Sequence, residues 1–259
     1  MNDILTPDQI ADLAEISRIC EELRADLVVI GATSLLILIG DLGRFTRDID
    51  LTVALDLDGF ERLTMRLAAI GWTPAPKLEH RWLAPRRTII DLLPAGAELR
   101  RSGSFIWPAS QFKMNLAGFE RVFADAVEIR LPGGLIIRVA PPIVTVLLKI
   151  IAFVDDPYRR AKDLQDIRIV LRLYEQESDR LFSDAVFDAD LPDFEFANAF
   201  LLGLDLGALA TGDEARFVDR FLDRLLAQDE EGRFDDEADF AMKTFRGQIN
   251  AFRKGFTRQ

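Results

Sequence analysis

The chain has 259 residues, 49% of them hydrophobic and 29% charged, which supports a sizeable folded core and excludes wholesale disorder. Its formal net charge of -11 excludes an extended basic face gripping nucleic acid, while leaving room for a local basic cleft. Cys20 is its only cysteine, which excludes an internal disulfide and a cysteine-built zinc site, fits a reducing cytoplasm and predicts no disulfide-linked partner.

Met1-Asn2-Asp3 lacks the basic start of a secretory signal, and the longest apolar run, Ile143–Val154, is broken by Lys149 and too short to span a bilayer. A soluble, cytoplasmic protein without a membrane partner is expected. Thr6-Pro7-Asp8-Gln9 marks a helix start, and the helix should reach about Leu23 with Ile10, Leu13, Ile16 and Cys20 along one stripe. Leu27–Ile30 reads as a strand, Gly31-Ala32-Thr33-Ser34 as a turn, Leu35–Ile39 as a short buried helix ended by Gly40 and Gly43, and Asp48–Val53 as a strand. Phe60, Leu63, Leu67 and Ile70 give helical spacing over Leu57–Ile70, with Gly71 as the stop. Trp72, Arg81–Ala84 and Thr88–Leu93 follow as short strands, then Val127–Leu131 and Leu135–Val139 as a hairpin around Pro132-Gly133-Gly134.

Pro141-Pro142 marks the boundary between two parts, because strand-like patterns stop there. Helices are expected at Ile143–Val154, Arg159–Tyr174, Phe194–Leu209, Arg216–Ala227 and Ala238–Phe252, with the acidic stretch 229–237 as a solvated connector. The expected fold is therefore α/β (α+β): a small mixed sheet with flanking helices over 1–140 and a helical domain over 141–259.

Asp48 and Asp50 stand at i and i+2 on a strand, so their carboxylates share one face, which can hold a divalent metal. The turn Gly31-Ala32-Thr33-Ser34 can offer backbone N–H groups to phosphate oxygens. Asp91, among apolar strand neighbours, needs either a cation partner such as Arg87 or a cleft. Lys149, inside an apolar helix, either snorkels past the edge or meets anionic phosphate. Asp163 lies on the inward edge of its helix and is suited to positioning Lys149 or an attacking hydroxyl, whereas Lys162 and Asp166 have the spacing of a surface ion pair. His80 is the sole histidine, so a multi-histidine site is not credible, and it reads as an ordinary strand-edge residue. Phe240, Phe245 and Phe252 read as core or partner contacts, and the basic tail from Lys243 to Arg258 as a solvated face or a contact for RNA or an acidic protein.

Taken together, Gly31-Ala32-Thr33-Ser34, Arg44-Phe45-Thr46-Arg47-Asp48-Ile49-Asp50-Leu51, Lys149 and Arg160-Ala161-Lys162-Asp163-Leu164-Gln165-Asp166-Ile167 resemble the AbiEii/AbiGii-type nucleotidyltransferase toxins of the polymerase-β-like superfamily, over roughly residues 25–175. Ala32 departs from the pattern, standing where glycine is usual. The resemblance implies that Asp48 and Asp50 bind Mg²⁺ (or Mn²⁺), with Asp91 the candidate third ligand. It further implies that Gly31, Ala32, Thr33 and Ser34 cradle the nucleotide, that Arg44 reaches a phosphate or braces the loop, and that Lys149 meets the triphosphate. The reaction implied moves a nucleotide from an NTP to an acceptor hydroxyl, on an RNA such as a tRNA 3′ end or on a protein side chain, with a cognate antitoxin as partner. Two other readings stand beside it: a small-molecule, aminoglycoside-type nucleotidyltransferase, and a catalytically silent nucleotide- or partner-binding protein. In the silent case Asp91 would lie too far from the pair to share a metal.

Overall fold

Thr6 opens the first helix, α1 (Pro7–Glu22): its hydroxyl accepts from Gln9 N at 3.2 Å while Gln9 Oε1 accepts from Thr6 N at 2.8 Å. This reciprocal cap satisfies two backbone donors at once. The computed structural model describes residues 4–40, 42–43, 46, 48–227 and 236–258, with the backbone alone for 236–242. Arg44, Phe45 and Arg47, and the connector from 229 to 235, lie outside the described residues. The chain divides into two compact units, Met1–Thr145 and Val146–Gln259.

In the first unit, β1 (Leu27–Ile30) runs into α2 (Gly31–Ile39), followed by β2 (Asp48–Val53), α3 (Leu57–Ala69), β3 (Thr73–Pro74), β4 (Arg81–Leu83) and β5 (Ile89–Pro94). Then come α4 (Ala97–Ser102), β6 (Ser104–Ile106), β7 (Lys113–Asn115), α5 (Phe119–Asp125), β8 (Val127–Arg130) and β9 (Ile136–Val139). Seven strands form one mixed sheet in the order β3-β4-β5-β2-β1-β9-β8; β2 pairs antiparallel with β1 and parallel with β5. Ile49 and Leu51 of β2 and Ile90 and Leu92 of β5 are buried, so alternation leaves Asp48, Asp50 and Asp91 together on the opposite side. α3 buries Phe60, Leu63 and Leu67, and the chain leaves it through Gly71 at φ 95°.

The stretch 97–125 holds structure that periodicity does not announce. α4, α5 and the separate two-stranded β6-β7 sheet are each seven residues or fewer, too short for a repeat of either period to register. Trp107, 4% exposed, anchors this region by edge-on contacts with Phe60 and Phe105 at 5.9 and 5.0 Å.

α6 (Pro142–Asp155) begins at the end of the first unit, and the second unit continues with α7 (Ala161–Leu173), α8 (Asp184–Phe187), α9 (Ala197–Leu209), α10 (Asp213–Ala227) and α11 (Asp236–Phe256). α9 and α11 approach closely because each contributes a glycine: a Cβ on Gly203 would meet Phe252 O at 2.0 Å and one on Gly255 would meet Phe200 O at 2.1 Å. Phe200, Phe221, Phe245 and Phe252 are buried in this unit, and Lys254 and Arg258 of the basic tail donate to the carbonyls of Asp190 and Ala185. Among the described residues no helix is long and apolar enough to cross a membrane.

Candidate active site

α2 starts at Gly31 with no loop after β1, so Gly31–Ser34 form the first turn of the helix rather than a turn preceding it at Leu35. One residue makes the corner: Gly31 has φ +68°, a left-handed value that glycine adopts without strain. A Cβ there would lie 2.2 Å from Asp50 Oδ2, so the absent side chain is also what lets the carboxylate pack against the turn. Thr33 and Ser34, 1% and 0% exposed, brace this corner from inside. Thr33 Oγ1 donates to Asp48 O at 3.1 Å; Ser34 Oγ donates to Gly31 O and lies 2.8 Å from Thr145 Oγ1. Of the four, only Gly31 is partly exposed.

The acidic residues form a row across strands. Asp50 on β2 stands opposite Asp91 on β5, and Asp91 stands opposite Arg81 on β4. Arg81 spans the row: Nε donates to Asp91 Oδ1 at 2.7 Å, and Nη2 donates both to Asp91 Oδ2 at 2.8 Å and to Asp48 Oδ2 at 2.7 Å. The hydrogen bond to Asp91 raises the Arg81 pKa most; burial opposes it, and the charges of Asp91, Asp48 and Asp50 add to the rise. Asp91 thus has the cation partner its apolar setting requires, but it is Arg81 rather than Arg87, which is exposed in the β4-β5 turn at φ +69°. Among the described residues no three acidic, histidine or cysteine side chains converge on one metal position as arranged.

The β4-β5 hairpin is itself tied down. Asp12, fully buried on α1, accepts from Thr88 Oγ1 at 2.6 Å and Arg86 Nη1 at 2.9 Å, fixing the turn between the strands that carry Arg81 and Asp91. At the other end Glu79 accepts from the Ala109 and Ser110 backbone N–H groups at 2.8 Å. His80 precedes β4, with its ring 6.1 Å from Trp107.

In the second unit, Lys149 on α6 is 8% exposed and lies 2.8 Å from Asp163 Oδ1 and 2.7 Å from Asp166 Oδ2 on α7. Burial alone would lower its pKa; the charges of Asp163 and Asp166 outweigh that and raise it. Lys149 therefore does not snorkel. Asp166, 1% exposed, is a buried partner of Lys149 and not half of a surface pair with Lys162, which is exposed. Sequence spacing along α7 could not reveal this, because the partner is on another helix.

A glycine corner thus backs onto an acidic row carried by interior strands of a mixed α/β sheet. The chain matches the family described as nucleotidyl transferase AbiEii toxin, type IV toxin–antitoxin system, over residues 16–258, and it belongs to that family. It is accordingly a nucleotidyltransferase. Solved structures similar to it include an antigenic nucleotidyltransferase-like protein from Paracoccidioides brasiliensis, 14% identical with a TM-score of 0.43, covering 67% of this chain and 77% of that one. The antibiotic-resistance factor ANT(2'')-Ia is 16% identical with a TM-score of 0.41, covering 64% of this chain and 83% of that one. The lincosamide antibiotic adenylyltransferase LnuA is 15% identical with a TM-score of 0.39, covering 61% of this chain and 95% of that one. No curated protein sequence matches the chain.

Proposed function

We propose that the chain transfers a nucleotide from an NTP to an acceptor hydroxyl, with release of pyrophosphate, at the row formed by Asp48, Asp50 and Asp91. The observation that supports this reading most is the register that sets Asp91 directly beside Asp50, two residues along the same face from Asp48. A silent relative in which Asp91 was remote from the pair would lack it.

The row fits a divalent ion chemically: its donors are hard carboxylate oxygens, and one cationic group, Arg81, is already seated among them. Asp48 and Asp50 would hold Mg²⁺ or Mn²⁺, two carboxylates being the usual protein share when water and phosphate oxygens complete the shell. Asp91, the candidate third carboxylate, would stand beside the ion while still paired with Arg81. When bound, such an ion neutralises triphosphate charge and lowers the pKa of the attacking hydroxyl. The hydroxyl oxygen would bond to the α-phosphorus as the bond to the pyrophosphate oxygen breaks, its proton passing to a carboxylate of the row. Gly31 and the first turn of α2 would meet phosphate oxygens through backbone N–H groups, as helix N-termini do. Ala32, Thr33 and Ser34 would act by shaping that turn. Arg44 and Lys149 as triphosphate contacts, and Asp163 as the group positioning Lys149, enter through the family pattern.

Family membership favours a toxin with a cognate antitoxin in the cytoplasm, and an acceptor on tRNA or on a protein. The test is incubation of wild type and Asp48→Asn with each α-labelled NTP, Mg²⁺ or Mn²⁺, and RNA, protein and aminoglycoside acceptors in turn. Label on RNA or protein with wild type alone is expected; label on aminoglycoside alone replaces the acceptor class, and label from neither protein overturns the proposal.

A further inference from the structure

We propose that Arg81 is an exchangeable counter-ion of the acidic row: it bridges Asp48 and Asp91 as found here, and gives up Asp48, but keeps Asp91, when a divalent cation binds. The inference rests on reading Asp48 and Asp50 as the metal-binding acids.

Three acids on one face of adjacent strands repel one another unless a cation stands among them. Arg81 is that cation in this structure, and its two attachments differ in kind. Asp91 is its cross-strand partner in register and takes two bonds, Nε to Oδ1 at 2.7 Å and Nη2 to Oδ2 at 2.8 Å, with its side chain 14% exposed. This is the bidentate fork that guanidinium and carboxylate form best. Asp48 takes one bond, from an Nη2 it shares with Asp91, and its side chain is 36% exposed. The bond to Asp48 is single, shared and wetter, and it uses an oxygen that an ion held by Asp48 and Asp50 needs. Rotation of the Arg81 side chain about its Asp91 anchor would free Asp48 without moving β4, whose ends are fixed through Glu79 and through the Asp12 tie to Arg86 and Thr88. The row is thereby kept in place before an ion arrives, at the expense of some affinity for the ion. Arg81 is a positioning residue in this scheme.

A residue that merely braces the acids would, when removed, weaken metal binding; a competing counter-ion would strengthen it. The experiment is Mn²⁺ binding without nucleotide, followed by the electron paramagnetic resonance of free Mn²⁺, for wild type, Arg81→Ala, Arg81→Gln, Asp48→Asn and the Asp48→Asn/Arg81→Ala double variant. Arg81→Ala and Arg81→Gln should each bind Mn²⁺ about tenfold more tightly than wild type, the scale of one lost charge-assisted hydrogen bond, and Asp48→Asn should abolish the gain. Unchanged or weaker binding in both Arg81 variants, with wild-type binding lost in Asp48→Asn, overturns the exchange and leaves the metal assignment standing. No binding by wild type, or binding indifferent to Asp48→Asn, overturns both. Should the Arg81 variants not fold, the wild-type Arg81 Nη2–H resonances decide: they should shift on Mg²⁺ saturation as the bond to Asp48 is lost, and fixed resonances with Mg²⁺ bound overturn the exchange.

Discussion

Gly31 and Asp50 are packed so closely that a Cβ on residue 31 would stand 2.2 Å from Asp50 Oδ2 and 2.8 Å from its Cγ. The corner that starts α2 and the carboxylate at the centre of the acidic row are thus one steric unit, and each limits where the other can be.

Gly31→Ala should therefore harm activity more than stability. The methyl group adds about 1–2 kcal/mol of left-handed backbone strain, which a domain of this size tolerates, but it also displaces Asp50 from the row. Nucleotide transfer should fall at least about tenfold in protein that still unfolds cooperatively. Transfer at the wild-type rate would show that Asp50 need not stand where it does.

The geometry of the acidic row is largely legible in the sequence. The i, i+2 spacing of Asp48 and Asp50 is enough to put both on one strand face, and the lone acid Asp91 among apolar neighbours is enough to require a cation. Arg81 was not found, although the strands Arg81–Ala84 and Thr88–Leu93 both were. Pairing them as a hairpin around Pro85-Arg86-Arg87 would have set residue 81 opposite residue 91, so the missing step was register. Asp166 was misplaced for a different reason: spacing within one helix cannot see a lysine on its neighbour. The short elements between 97 and 125 were lost because three to seven residues carry too little pattern.

Lys149 is a structural residue whatever else it does. Lys149→Met would leave Asp163 and Asp166 buried without that counter-charge, costing about 3–5 kcal/mol in urea unfolding. The double variant with Asp166→Asn should be less destabilised than the sum of the single variants. Because the folded pKa of Lys149 is raised, its contribution is full below the unfolded value of about 10.4 and is lost only as pH rises through the folded one. The difference between wild type and Lys149→Met should therefore stay level from pH 7 to about 9. Activity of Lys149 variants has to be compared per folded molecule.

The tie on the β4-β5 turn predicts an order of effects. Arg86→Ala takes the guanidinium donor from the fully buried Asp12 carboxylate and leaves it the Thr88 hydroxyl, whereas Asp12→Asn keeps a neutral amide that can still bond Thr88. Arg86→Ala should lower the urea midpoint more than Asp12→Asn, even though Arg86 is the exposed partner. The reverse order would mean that Arg86 contributes nothing to holding Asp12.

Cys20, 1% exposed, has its thiol pushed up to about 12, first by burial and then by the charge of Glu21. Little thiolate exists at neutral pH, so alkylation by iodoacetamide at pH 8 should be negligible in the native protein and rapid in urea. Fast native labelling would mean that α1 opens locally.

The central claim is that the acidic row performs the chemistry, and transfer of α-labelled nucleotide by Asp50→Asn tests it most directly, with urea unfolding of the same sample as the control. Asparagine keeps the shape against Gly31 and removes one charge from the row. The account predicts at least about a hundredfold loss of transfer with the unfolding midpoint near that of wild type. Transfer within a few-fold of wild type would contradict it.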